Sequence, residues 1–228
     1  MKKQILIVLL FFITPFIFAQ SFSETKLKAE QGDAVAQYDL AYSYYKGEGT
    51  TVDKKQAYSW FLKSAENGNL KAVFNIGYMY YNGEGVPKDR KQAFQWFLKS
   101  AGNGNPSAQY FLGMMYSNGD GIEMDKVQGF NWYFKSASQG HPEAEFIVGV
   151  LYYKGEGVAK DKEKGVAYLK KSAEKGYAPA EYYYGQLFFY GEGVAMDKKL
   201  GAAWIKKAVD QGNVDAQKAW NGLELWKY

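Results

Sequence analysis

Apolar and small residues recur along this chain at steps of three and four, the spacing that gathers them on one face of an α-helix. Between Leu70 and Asn82, the residues Ala72, Ile76 and Tyr80 follow one another at steps of four. That stretch stops at Gly83-Glu84-Gly85, where glycine tolerates the positive φ that closes a helix C-terminus. A second periodic stretch opens after Asp89, whose carboxylate suits an N-cap, and passes through Trp96-Phe97 to Gly104. The pattern predicts two antiparallel helices joined by a glycine turn.

The same pattern is written five times. Glycine–acid–glycine triplets stand at Gly47-Glu48-Gly49, Gly83-Glu84-Gly85, Gly119-Asp120-Gly121, Gly155-Glu156-Gly157 and Gly191-Glu192-Gly193, each 36 residues after the last. A second glycine series (Gly32, Gly68, Gly104, Gly140, Gly176, Gly212) and an aspartate series (Asp53, Asp89, Asp125, Asp161, Asp197) keep that period. Such a register marks stacked hairpins, each unable to bury its apolar faces alone. It divides the chain into a lead-in (20–33), five units (34–69, 70–105, 106–141, 142–177, 178–213) and a C-terminal capping helix (214–228).

Two finer expectations follow. Asp53 with Gln56, Asp89 with Gln92 and Asp125 with Gln128 have capping-box spacing, a feature the last two units lack. Ala57, Ala93, Gly129, Gly165 and Gly201 share one slot; glycine inside a helix costs ~1 kcal/mol relative to alanine, so its recurrence predicts a close helix approach. The expected fold is all-α: a right-handed α/α superhelical solenoid with a concave and a convex side.

Ahead of the repeats lies a different segment. Met1-Lys2-Lys3 is followed by an apolar run from Ile5 to Phe18 and then Ala19-Gln20. A charged start, an apolar middle and a small residue at the cut make the plan of a secretory signal peptide, 1–19. The run falls short of the ~20 residues a spanning helix needs. The expected location is the periplasm or the exterior, with no stable membrane anchor after cleavage.

Composition narrows the chemistry. Hydrophobic residues at 47% and charged residues at 23% exclude a disordered chain, and a net charge of +4 does not by itself argue for nucleic acid. With no cysteine there are no disulfides, zinc–thiolate sites or cysteine nucleophiles, and one histidine, His141, leaves no pair for a metal. No phosphate-cradling glycine motif is present, so no cofactor and no metal are expected. Ser-x-x-Lys occurs at Ser43–Lys46 and Ser172–Lys175, without the K-T-G or S-D-N partners that β-lactam-recognising enzymes carry. His141 falls in a slot held elsewhere by Asp33, Asn69, Asn105, Tyr177 and Asn213, a turn or N-cap position. The acids of the glycine turns recur in every unit, which fits turn structure, since an active site is used once. A lysine column (Lys63, Lys99, Lys135, Lys171, Lys207) near the end of each second helix suits the helix dipole.

The consensus A-x-Y/F-x-L-G-x-x-Y-x-x-G-x-G-V-x-x-D…A-x-x-W-[FY]-x-K-[SA]-A-x-x-G, followed almost letter for letter from Ala72 to Gly104, resembles the Sel-1-like repeat family, relatives of the tetratricopeptide repeat. The resemblance implies an α/α solenoid used for protein–protein interaction, often secreted in bacteria. It also implies two alternatives. One is a periplasmic immunity-type inhibitor. The other is a hydrolase of the secreted branch acting on β-lactams or cell-wall glycan; that branch carries a disulfide in each repeat, and this chain has none.

Internal repetition separates scaffold from specificity, because slots that vary between units are free to read a partner. On the first helices the variable arc becomes apolar in the middle and late units. The partner-binding candidates are Tyr42, Tyr78, Met79, Phe111, Met114, Met115, Leu151, Tyr183 and Leu187. An exposed column of aromatic and methionine side chains suits an adaptable protein or peptide surface; the alternative is that the column packs between neighbouring first helices. The expected function is a non-catalytic protein- or peptide-binding scaffold.

Overall fold

The structure, a computed structural model, describes residues 21–228. The expected leader, 1–19, and Gln20 lie outside the described residues. The chain divides into two compact units, one ending at Gly104 and one starting at Asn105. The described residues contain helices, turns and no strands.

The first unit holds α1 (residues 21–30), α2 (Ala34–Lys46), α3 (Lys54–Glu66), α4 (Leu70–Asn82) and α5 (Arg90–Gly102). The second holds α6 (Pro106–Asn118), α7 (Lys126–Ser138), α8 (Pro142–Lys154), α9 (Lys162–Glu174), α10 (Ala178–Tyr190), α11 (Lys198–Asp210), α12 (Val214–Gly222) and a 3-10 turn at Leu225–Lys227. Within each unit, hairpin partners pack together and each second helix also packs against the first helix that follows, as α3 does on α4 and α7 on α8. Each unit is a stretch of α/α solenoid.

The turns explain the glycines. Gly83 sits at φ 77 and its N–H donates to the Met79 carbonyl, closing α4. Two residues on, Gly85 has φ +74, and a Cβ there would lie 2.1 Å from the Lys54 carbonyl oxygen of the preceding hairpin. A Cβ on Gly157 would likewise lie 2.2 Å from the Lys126 carbonyl oxygen. The first glycine ends a helix; the second lets neighbouring hairpins touch backbone to backbone.

The N-caps correct one expectation. Asp53 Oδ1 accepts from the N–H groups of Lys55 and Gln56, both at 3.0 Å, and Asp89 and Asp125 do the same in their hairpins. The side chains of Gln56, Gln92 and Gln128 are exposed and do not close a capping box. The N–H they would satisfy is already taken. Asp53, Asp89, Asp125, Asp161 and Asp197 donate their backbone N–H to Tyr44, Tyr80, Tyr116, Tyr152 and Phe188 at 2.8–3.0 Å, pinning each loop to the first helix.

Close approach of the helices is observed where small residues predict it. A Cβ on Gly165 would lie 2.9 Å from the Gly149 carbonyl oxygen, and one on Gly201 would lie 2.7 Å from that of Gly185. Serines tie the far end of three hairpins: Ser64, Ser136 and Ser172 donate from Oγ to the carbonyls of Ala34, Pro106 and Pro142 at 2.6–2.7 Å.

The lead-in is more than a connector. Residues 21–30 are helical, and Phe22 meets Tyr44 edge-on at 5.5 Å, as Tyr58 meets Tyr80 at 5.6 Å and Phe130 meets Tyr152 at 5.1 Å. In the 36-residue register α1 therefore stands where the second helix of a preceding hairpin would be.

Candidate partner-binding surface

The variable slots of the first helices behave in two ways. Met79 and Met115 are 0% exposed and Leu187 is 2% exposed, so these three belong to the core and not to a binding surface. First helices such as α4, α8 and α10 are packed by their own second helix and by the one before it, so the buried arc is wider than a single amphipathic stripe. Tyr42, at 39%, is exposed, and Tyr78, Phe111, Met114, Leu151 and Tyr183 are half-buried.

In the first unit these residues build a cleft of about 260 Å³ between α2 and α4. Phe61, Phe74 and Met79 contribute apolar lining, while Tyr42, Tyr45, Lys46, Asn75 and Tyr78 add polar groups. Tyr38 stacks on Tyr42 at 6.5 Å and leans on Phe61 at 5.5 Å; Phe74 meets Phe97 at 5.7 Å. The Lys46 ammonium lies 5.7 Å from the Tyr45 ring centre and 5.9 Å from that of Tyr42.

A polar bracket holds one wall of this cleft. Glu84, from the turn after α4, pairs with Lys54 at 3.1 Å and accepts from the Tyr45 hydroxyl. The Lys54 ammonium sits 3.0 Å from the Tyr45 ring centre. Burial and the hydrogen bond to Glu84 push the Tyr45 phenol upward, so it stays protonated and keeps donating. Burial alone would raise Glu84, but the hydrogen bonds from Tyr45 and Lys54 hold its carboxyl below the ordinary value. The turn acids thus act as clasps between hairpins, as with Glu156 on Lys126 at 3.4 Å and Glu192 accepting from Tyr153 at 3.3 Å.

In the second unit, Phe111, Ile147 and Tyr183 occupy one slot of successive first helices and Met114 and Val150 the next. Met114, Ile147 and Leu151 pack on the core of Phe130, Tyr133 and Val148; Val150 and Tyr183 pack on that of Leu169, Tyr184 and Leu187. Phe146 meets Tyr183 edge-on at 6.1 Å. Half of each side chain holds the fold and half faces outward.

Several candidates for chemistry are used by the scaffold. Ser172 is fully buried and spends its hydroxyl proton on Pro142. The lysine column rests on aromatic rings three residues earlier: Lys63 over Trp60 at 4.0 Å, Lys135 over Trp132 at 4.0 Å and Lys207 over Trp204 at 3.8 Å. His141 is the N-cap of α8 but makes no side-chain cap bond. Its ring stacks on Tyr110 at 5.3 Å, with Nδ1 3.2 Å from Glu143 and Nε2 3.5 Å from Ser107 Oγ. Glu143, two residues on, is a partner the sequence reading passed over, because residues two apart point to different sides of a regular helix and only the N-cap geometry brings them together. Among the described residues no group of three or more His, Cys, Asp or Glu is arranged to hold a metal ion.

Repeats, turns and packing define the class. The Sel1 repeat model matches residues 34–69, 70–105, 106–141, 142–177 and 178–213, and the chain belongs to the Sel1 repeat family. It is 38% identical over 69 residues to the secretory immunoglobulin A-binding protein EsiB of Escherichia coli O6:H1, a match covering 28% of this chain and 14% of that protein. The structure of c5321, a protective antigen of uropathogenic E. coli with an SLR fold, superposes with a TM-score of 0.80 at 35% identity, over 88% of this chain and 44% of that one. Immunity protein Pa5087 from Pseudomonas aeruginosa is similar at 29% identity and a TM-score of 0.55, over 80% of this chain and 67% of that one. The chain thus spans less than half the length of the two E. coli proteins it matches. Among the described residues no helix is long and apolar enough to cross a membrane.

Proposed function

We propose that this protein is an exported binding scaffold that captures a protein or peptide partner on its first-helix face. The observation that carries the reading is the cleft between α2 and α4. An apolar floor topped by three tyrosines, a lysine and an asparagine is built like a pocket for an anchor side chain. Its residues lie in slots that differ from repeat to repeat, while the slots that hold the hairpins together recur. The half-buried Phe111, Met114, Leu151 and Tyr183 extend the candidate surface on the second unit, and Met79, Met115 and Leu187 support it from beneath. The name of the immunoglobulin-binding relative and the likeness to an immunity protein both favour a protein partner, the latter in the manner of a periplasmic inhibitor. Export rests on the leader-like segment, 1–19. A hydrolase reading loses the Ser172 candidate, since that serine is fixed in the core.

Affinity capture from an envelope extract tests this, comparing the parent with Tyr42→Ser/Tyr78→Ser and with Phe111→Ser/Tyr183→Ser. Circular dichroism should show all three folded. A protein retained by the parent and lost by either variant supports the reading and says which unit binds. Equal retention by all three moves the site off the first-helix face. Saturable β-lactam or glycan turnover abolished by Ser43→Ala would replace the reading with the hydrolase one.

A further inference from the structure

Four of the five hairpins set a cation over a ring. The next-to-last residue of the first helix is Tyr45, Tyr81, Ser117, Tyr153 and then Phe189; the first residue of the second helix is Lys54, Arg90, Lys126, Lys162 and then Lys198. The cation lies over the ring of its own hairpin at 3.0 Å for Lys54, 3.2 Å for Arg90, 4.9 Å for Lys162 and 5.5 Å for Lys198. Two of the phenols also donate to the turn acid of the next hairpin, Tyr45 to Glu84 and Tyr153 to Glu192.

The third hairpin keeps the cation and the acid but has no ring. Lys126 pairs with Glu156 at 3.4 Å, and their side chains are 56% and 44% exposed, against 33% and 31% for Lys54 and Glu84. Where the phenol would stand there is a hollow of about 220 Å³, lined by Ser117, Asn118, Lys126, Leu151 and Glu156. In the first unit the same slots hold Tyr45, Lys46, Lys54, Met79 and Glu84. The hollow is smaller than the roughly 300–1,000 Å³ of pockets that enclose a whole ligand, so it suits a single side chain.

Its lining selects which side chain. An acidic group would meet the Glu156 carboxylate and a basic one the Lys126 ammonium. A phenylalanine would cover the ammonium but leave Glu156 without a hydroxyl donor. A phenol satisfies both, with Leu151 against the body of the ring. We infer that this hollow receives a tyrosine side chain of the protein partner, its ring under the Lys126 ammonium and its hydroxyl donating to Glu156. The partner's residue then completes the clasp that Tyr45 and Tyr153 complete within the chain. The inference rests on the binding function proposed above and places one anchor beside Leu151 on the second-unit surface.

The probe is N-acetyltyrosinamide, followed through the Leu151 methyl resonances of the purified protein, with N-acetylphenylalaninamide beside it. The tyrosine probe should shift these resonances saturably, and the phenylalanine probe should bind about fivefold more weakly for want of the hydroxyl. Ser117→Tyr fills the hollow from within and should abolish the shift. That variant has a template in the next hairpin: a Cβ on Gly165 would touch Tyr153 as one on Gly129 would touch Ser117, so it should keep the helical spectrum. Lys126→Met removes only the cation and should weaken binding about two- to fivefold. No saturable shift, equal binding of the two probes, or binding unchanged in Ser117→Tyr would each overturn the tyrosine pocket. In any of those cases envelope capture shows how far the failure reaches. A partner retained by the parent and lost by Tyr42→Ser/Tyr78→Ser or Phe111→Ser/Tyr183→Ser leaves the scaffold standing without this pocket, and no retention at all removes the scaffold reading as well.

Discussion

The ammonium of Lys175, just past the end of α9, reaches the buried carboxylate of Glu145 on α8 at 2.6 Å. The two are thirty residues apart, and the same bridge recurs in other chemistry. Asn67 donates to Gln37 at 2.9 Å, Gln139 to Gln109 at 2.8 Å and Gln211 to Glu181 at 2.7 Å. Where the acceptor slot holds Val73, the donor Asn103 turns instead to the Lys99 carbonyl at 2.8 Å. The bridge fastens the open end of four of the five hairpins, and only between Glu145 and Lys175 is it an ion pair.

Removing one partner of the charged bridge should cost more than replacing both. Lys175→Met leaves the Glu145 carboxylate buried without its cation, a loss of about 3–5 kcal/mol for a fully buried pair. The Lys175 side chain is 39% exposed, so solvent screening brings the expected loss to about 2 kcal/mol. Glu145→Gln/Lys175→Gln recreates the Gln109–Gln139 bridge and should stay within ~1 kcal/mol of the parent. Urea unfolding of the three proteins measures both; equal losses would show that the bridge does not act as a pair.

Alanine at Gly85 should be far more damaging than alanine at Gly68. Both residues have positive φ, a conformation costing about 1–2 kcal/mol for an L-residue. A Cβ at Gly68 meets nothing within 4 Å, whereas at Gly85 it would lie 2.1 Å from a backbone oxygen. Gly68→Ala should therefore cost about 1 kcal/mol, and Gly85→Ala more than about 3 kcal/mol, enough to part the two hairpins. Thermal unfolding of the two variants gives the difference directly.

The hairpins were legible because turn chemistry repeats: positive-φ glycines or N-cap aspartates stand at the helix boundaries from Gly32 to Gly212. Helix α1 was read only as a lead-in, although Gly32 belongs to the glycine series that closes second helices and so carried the signal for a helix before it. The surface was harder to read. A helical wheel places Tyr78 and Met79 on one arc, and only the packing of α4 between α3 and α5 shows that Met79 lies inside. The contacts of His141 with Ser107 and Tyr110 depend on stacking one hairpin on the next, which no local pattern encodes.

Neutralising the lysine column should have little effect on stability. Lys135 lies over Trp132 at 4.0 Å on an exposed stretch of α7, where a cation–π contact contributes about 0.5–1 kcal/mol. Lys135→Gln should lower stability by no more than that in denaturant titration. Partner capture by this variant should equal the parent's at low and at high salt. A strong salt dependence removed by the substitution would instead make the column an anion-binding strip.

His141 should make the second unit sensitive to mild acid. Burial lowers its folded pKa and Lys175 adds to that, while the carboxylates of Glu143 and Glu145 act in the opposite sense without reversing it. The unfolded chain therefore takes up this proton first. As pH falls through the ordinary histidine value of ~6.5, unfolding is favoured; well above it, the group contributes no pH dependence. Asparagine is a frequent residue of this slot, and Asn105 shows what it does there, accepting from the Ala108 N–H at 3.0 Å. His141→Asn should supply the missing N-cap bond to α8 and stabilise the protein by about 1 kcal/mol at alkaline pH. The advantage should widen between about pH 7.5 and about pH 5.5, because the variant has no imidazole to protonate. Urea midpoints across that range decide it: parallel curves for parent and variant would mean that the stacked imidazole is protonated as readily in the fold as in the unfolded chain.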